Sequence, residues 1–175
     1  MVDRIRKWKN DNRYGVDLIC TDDVHKSVTE NSDCRRCDIK EECGRFIKSS
    51  SVVIFVVGDN TASKKAGACD SVSCSPAYSD RQKSYCKYFL NKSFANPFSG
   101  GREMSYLQYE ITTAILAGKS IVLVYNSVYR QEIWIPSWYK SLLRTYNVNE
   151  LCRVAFWKDS SHTLDCYQDI KVYLQ

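Results

Sequence analysis

The sequence predicts an α/β protein with a mainly parallel sheet between two layers of helices, and three observations lead there. Val52 to Val57 and Ile121 to Tyr125 are apolar at every position, as in strands covered on both faces rather than wetted on one. Stretches with helical apolar spacing precede both runs, and helix and strand patterns go on alternating to the end of the chain, the order that builds parallel sheets. Finally, 175 residues that are 44% hydrophobic can supply one core of ordinary size but not two. A single domain over 1–175 is expected, with no internal repeat.

Val2, Ile5 and Trp8 mark one face of an opening helix, which the polar turn from Asn10 to Gly15 ends. A short strand, Val16 to Cys20, is expected next. It closes on Thr21, Asp22 and Asp23, which puts two carboxylates just past its carboxyl end. Acidic residues there can touch a ribose or a metal, or simply cap the next helix through an Asx turn. A polar loop leads to Cys34 and Cys37, which have zinc-ligand spacing. Ile39, Cys43, Phe46 and Ile47 then form a helical stripe running to about Lys48, which assigns Cys43 to the core.

The run Val52 to Val57 is the clearest central strand and ends in Gly58, Asp59, Asn60 and Thr61. A glycine with small polar groups at such a strand end is where doubly wound sheets hold ligands. From about 62 to 102 the chain has little apolar periodicity and reads as a long irregular insertion, functional or separately braced. Its tyrosines and phenylalanines are expected to fasten it to the body.

The central helix follows. Leu107, Ile111, Ala114 and Ile115 share one face, Ser105 and Gln108 have capping-box spacing, and Gly118 suits a left-handed cap. Glu110 lies beside the buried stripe, within two turns of the positive end of the helix, a suitable place for a functional carboxylate. Beyond Tyr125, Trp134, Ile135, Pro136 and Trp138 lead into a helix from Ser137 to Tyr146, with Pro136 near its start. Val154 to Trp157 is expected as the last strand. Leu164 to Leu174 is expected as a closing amphipathic helix that presents Leu164, Tyr167, Ile170 and Leu174 to the core.

Composition narrows the function. No apolar run is long enough to span a bilayer, and the charged, Trp-bearing start is unlike a secretory signal, so a soluble cytoplasmic protein without membrane contact is expected. Nine cysteines without that signal imply reduced thiols rather than a disulfide framework. The net charge of +5 is scattered, without the dense basic stripe of a nucleic-acid surface. Cys69, Cys74 and Cys86 could join Cys34 and Cys37 around a structural zinc ion. The irregular spacing favours unpaired thiols packed under the insertion, and no metal site is assigned.

Two stretches, FIKSSSVVIFVVGDNTA from Phe46 and YLQYEITTAILAGKSIVLVYNS from Tyr106, together resemble the TIR-like family of bacterial proteins, which includes the TIR subunit of Thoeris antiphage systems. The family shows a hydrophobic strand closed by Gly and a Thr-containing loop. A helix with an aromatic residue four positions before a glutamate follows, then a second hydrophobic strand. Here the aromatic is Tyr106, where the family usually has Trp, and the glutamate is Glu110. RIRKWKNDNRYGVDLICTDD, from Arg4 to Asp23, is similar to the family's first helix and second strand.

The resemblance implies a flavodoxin-like three-layer sandwich and an enzyme that cleaves NAD between nicotinamide and ribose. The product would be ADP-ribose or a cyclised or conjugated signal nucleotide, made in antiphage defence. It makes Glu110 catalytic: a carboxylate beside the ribose can bind its hydroxyls and stabilise the charge that develops as nicotinamide leaves. The residues expected to hold NAD are Asp22, Asp23, Gly58, Asp59, Asn60 and Tyr106. An effector protein responding to the product and a homo-oligomer are the implied partners. The family's first strand has no counterpart here, so either a longer protein supplies it or the sheet is rearranged. Two other readings stand beside this one. One is a non-catalytic TIR-like module that binds a nucleotide or a protein partner, favoured if Trp134 and Trp138 are exposed together. The other is a nucleoside deoxyribosyltransferase-like enzyme, which also sets a glutamate beside a sugar.

Overall fold

The computed structural model describes residues 1–11, 18–19, 35–59, 61 and 105–174, and its sheet is built around the most apolar stretch of the chain. Ser120–Tyr125 (β2) lies between Val52–Val57 (β1) and Glu150–Ala155 (β3), and both neighbours run parallel to it. Every residue of β2 from Ile121 to Tyr125 is fully buried, which explains why no polar residue interrupts it.

Strand alternation sorts the core into two faces. Val53, Phe55 and Val57 stand in register with Ile121, Leu123 and Tyr125. Against this first face pack Arg35–Ser49 (α2), Tyr106–Leu116 (α3) and Tyr139–Thr145 (α4), through Ile47, then Leu107, Ile111, Ala114 and Ile115, then Tyr139. The second face, with Val122 and Val124, is covered by Val2–Asn10 (α1) and the short Tyr167–Ile170 (α5). The protein is thus a three-layer α/β sandwich with an open sheet, all-parallel among the described strands, as the sequence predicts. Each fully buried aliphatic side chain in these layers contributes about 1.5–3 kcal/mol.

Trp8 ties the two ends of the chain together. Its indole stacks on Phe156 at 5.5 Å between ring centroids, meets Tyr167 at 5.0 Å, and donates to Asp165 Oδ2 at 3.2 Å. Arg4 pairs with the same carboxylate at 2.7 Å.

Helix α3 is defined at both ends by its own sequence. Ser105 Oγ accepts from the Gln108 N–H at 3.1 Å while Gln108 Oε1 accepts from the Ser105 N–H at 3.0 Å, completing the capping box. At the other end Gly118 has φ of +64°, and the N–H groups of Gly118 and Lys119 reach back to the carbonyls of Ile115 and Ala114, a Schellman closure. The crossover from β1 through α3 to β2 therefore begins and ends where the sequence places it.

The C-terminal third departs from expectation in two places. Strand β3 starts at Glu150 rather than Val154, because Glu150 and Arg153 neutralise each other within it; Trp157 lies past its end, in an antiparallel bridge with Asp165. The closing helix from Leu164 to Leu174 does not form as one piece. Asp159 accepts hydrogen bonds from the Thr163 and Leu164 N–H groups at 3.1 and 2.7 Å, and the Leu164 carbonyl accepts from Lys158. Leu164 is thereby held in a turn, 60% exposed, and helix resumes only as α5 and a 3₁₀ turn, Lys171–Tyr173, with Tyr167 and Ile170 against the second core. The expected strand Val16 to Cys20 falls mostly outside the described residues. Of its members, Leu18 packs on the second core and Ile19 is exposed, neither in a strand.

Candidate active site

The carboxyl ends of the three strands carry a row of polar groups. After β1, buried Gly58 opens a tight turn in which the Thr61 hydroxyl accepts from the Gly58 N–H and donates to the Gly58 carbonyl, both at 2.7 Å. A side chain at position 58 would not fit freely, since a Cβ there would lie 3.3 Å from Thr61 Oγ1 and 3.6 Å from Asn126 Cβ. Asn126 follows β2 directly; its N–H donates to the Val57 carbonyl at 2.7 Å, and its side-chain oxygen accepts from the Trp157 indole at 3.2 Å. Asn126 thus links the ends of all three strands.

Of the residues expected to hold a ligand, Gly58 and exposed Asp59 sit in this row. Tyr106 is the first residue of α3 and is half-buried. Asp22, Asp23 and Asn60 lie outside the described residues. The parts played by Asn126 and Trp157 are absent from the sequence reading, which names Thr61 only among the small polar groups after β1. The one available signal is a polar residue directly following an all-apolar strand, which Asn126 shares with the Gly58 turn.

Glu110 stands one turn into α3, half-buried, where that helix runs alongside α2. The approach is close because position 44 lacks a side chain: a Cβ on Gly44 would lie 3.1 Å from the Tyr109 hydroxyl oxygen and 3.9 Å from the Thr113 methyl. Cys43, fully buried on α2, and Glu110 on α3 influence each other's ionisation. Burial pushes the Glu110 carboxyl up from an ordinary 4.5 to about 7, a rise that the Cys43 thiol restrains. Burial and the neighbouring carboxylate push the Cys43 thiol upward, so it stays protonated. A carboxyl poised near neutrality, with its helix N-terminus toward the carboxyl ends of the strands, can exchange a proton or, when ionised, face a developing cation. Cys43 is core, as the sequence predicts.

A second ionic cluster is structural. Arg153, with its side chain 12% exposed, forks onto Glu150 at 3.0 and 2.7 Å and reaches Glu132 at 2.7 Å; the Tyr125 hydroxyl also donates to Glu132, at 2.9 Å. Burial works against ionisation of Glu132, yet the bonds from Arg153 and Tyr125 hold its carboxyl below the usual range. These groups satisfy one another and fasten the segment after β2 to β3. Trp134 and Trp138 are half-buried against the first core, so they do not form the exposed pair that would favour an interaction module. An open cleft of about 430 Å³ beside Arg130, Trp157 and Lys158 contains none of the residues predicted for the site, and Lys158 in it is paired with Asp169 at 2.8 Å.

Among the described residues no group of three His, Cys, Asp or Glu side chains is arranged to hold a metal ion. Cys34, Cys69, Cys74 and Cys86, named for a structural zinc, lie outside the described residues, as does the side chain of Cys37. Among the described residues no helix is long and apolar enough to cross a membrane. Comparison with protein families, curated proteins and solved structures finds no match for this chain.

Proposed function

We propose that this protein consumes NAD, cleaving the bond between nicotinamide and ribose, with Glu110 as the catalytic carboxylate. The observation that carries the reading is the state of Glu110: a half-buried carboxyl in the second turn of a helix that starts at the ligand-binding end of a parallel sheet, pushed up to about 7. The resemblance of the Gly58 and Glu110 stretches to TIR-like proteins supplies the substrate class. In this reaction the carbon–nitrogen bond breaks, nicotinamide departs with the electron pair, and the ribose carbon gains positive charge. Ionised Glu110 stabilises that charge through the sugar, and water or a second nucleophile then forms the new bond at the same carbon, releasing one proton. Gly58, Asp59, Asn60, Tyr106, Asp22 and Asp23 are proposed to bind the dinucleotide. A cytoplasmic setting, assembly into a homo-oligomer and an effector that reads the product belong to the same proposal.

The test is product analysis. The protein, alone and after concentration-driven assembly, is incubated with NAD and separately with free nucleosides. Nicotinamide release from NAD, absent in Glu110→Gln, supports the reading; base release from nucleosides with NAD untouched would replace it by a nucleoside-processing enzyme.

A further inference from the structure

We infer that Asn126 is a ligand-contacting residue, its side-chain NH2 group donating to an acceptor oxygen of a nucleotide's sugar–phosphate backbone at the carboxyl ends of β1 and β2. The class of that ligand rests on the proposed function; the aim of the amide does not.

The backbone at this position is pinned from both sides. The Asn126 N–H donates to the Val57 carbonyl at 2.7 Å, and one residue earlier the Tyr125 carbonyl accepts from the Phe156 N–H at 2.7 Å. The side chain is held by Trp157, whose indole N–H meets Asn126 Oδ1 at 3.2 Å. That indole has little freedom of its own. Its ring lies edge-on to Phe156 at 4.6 Å between centroids and against His162 at 5.0 Å, and the Trp157 backbone N–H donates to the Ser127 carbonyl at 3.2 Å. An indole N–H can only donate, so the atom it meets is the amide oxygen, and the NH2 group is turned away from it.

The NH2 group comes to rest beside Gly58. Nδ2 lies 3.8 Å from the place that a Gly58 Cβ would take, and Thr61 Oγ1 lies 3.3 Å from the same place. The missing side chain keeps this gap clear. The Thr61 hydroxyl is already engaged with both backbone groups of Gly58, whereas among the described residues nothing accepts from Nδ2. Holding the indole takes an acceptor alone. The fold thus uses one half of the half-buried Asn126 side chain and leaves a directed donor over, in the region outside the strand ends where open α/β sheets bind ligands. A neutral, directional N–H suits a sugar hydroxyl or a phosphate oxygen.

The test follows the Asn126 side-chain NH2 pair in ¹H–¹⁵N spectra of Glu110→Gln protein, assigned by triple-resonance experiments, while NAD, ADP-ribose, adenosine and ribose 5-phosphate are titrated in turn. A saturable shift of the pair is expected with NAD and with at least one of the other three. Adenosine would identify a sugar hydroxyl as the acceptor, and ribose 5-phosphate without adenosine a phosphate oxygen. Asn126→Asp keeps an oxygen for the indole and loses the donor, so it should bind the same ligand about 10-fold more weakly at an unchanged melting temperature. A purely structural asparagine would lose nothing. Should the aspartate variant not fold, the NH2 shift decides alone. No shift with any of the four compounds, or equal affinity in Asn126→Asp, overturns the inference even where wild type releases nicotinamide. A shift with adenosine or ribose 5-phosphate but not NAD, with no nicotinamide released by wild type, leaves the donor standing and removes the proposed reaction instead.

Discussion

Glu110 should weaken the fold as pH rises, and the size of the effect follows from its surroundings. Below about pH 4.5 the carboxyl is protonated in both the folded and the unfolded chain, and its burial has no electrostatic cost. Between 4.5 and about 7 the unfolded chain gives up its proton while the folded chain keeps it, so stability falls as pH increases. Above 7 the whole difference is present, about 3 kcal/mol for a group moved that far. Glu110→Gln removes the titration but keeps an acceptor oxygen and nearly the same volume. Its stability should match wild type near pH 4 and exceed it by about 3 kcal/mol at pH 8, a gain of about 6–12 °C in Tm for a chain of this length. Paired thermal melts of the two proteins at pH 4, 6 and 8 read this directly. A difference that stays constant across the three pH values would show that the carboxyl titrates at its ordinary position, and the argument from burial would fail.

Other substitutions test the frame that carries this residue. Arg153→Met removes the fork onto Glu150 and the bond to exposed Glu132, and strands the partly buried Glu150 carboxylate; the loss should be about 2 kcal/mol by urea denaturation, and a loss under about 0.5 kcal/mol would mark the cluster as an ordinary surface pair. Gly118→Ala forces φ of +64° on a residue with a Cβ but meets no atom within 4 Å, so it isolates backbone strain: about 1 kcal/mol lost, with Gly118→Asn losing clearly less. Ser105→Ala deletes a fully buried N-cap acceptor and should cost about 1 kcal/mol, read as a lower urea midpoint at unchanged slope; no change would mean that the box contributes nothing to α3.

Much of this frame is legible in the sequence because local rules and burial agree there. β1 and β2 from Ile121 onward are apolar since helices cover both their faces, and α3 carries its start and stop in Ser105, Gln108 and Gly118. Local rules mislead where side chains satisfy each other across the fold. Glu150 and Arg153 look like loop residues until they are seen paired within β3, and Leu164 looks like the start of a helix until Asp159 takes the nearby N–H groups. The site is half legible for a similar reason. Periodicity puts Glu110 beside the buried stripe and Cys43 on a buried face, but it cannot say that two helices from different parts of the chain meet at these residues. Gly44 holds that information only through what would collide with it.

The most direct measurement is nicotinamide release from NAD by wild type and Glu110→Gln between pH 5 and 9. Wild-type release should rise through about pH 7 as the carboxyl ionises, then level off, while the glutamine variant stays at background throughout. Release by the variant at the wild-type rate would contradict the assignment of Glu110 as the catalytic group.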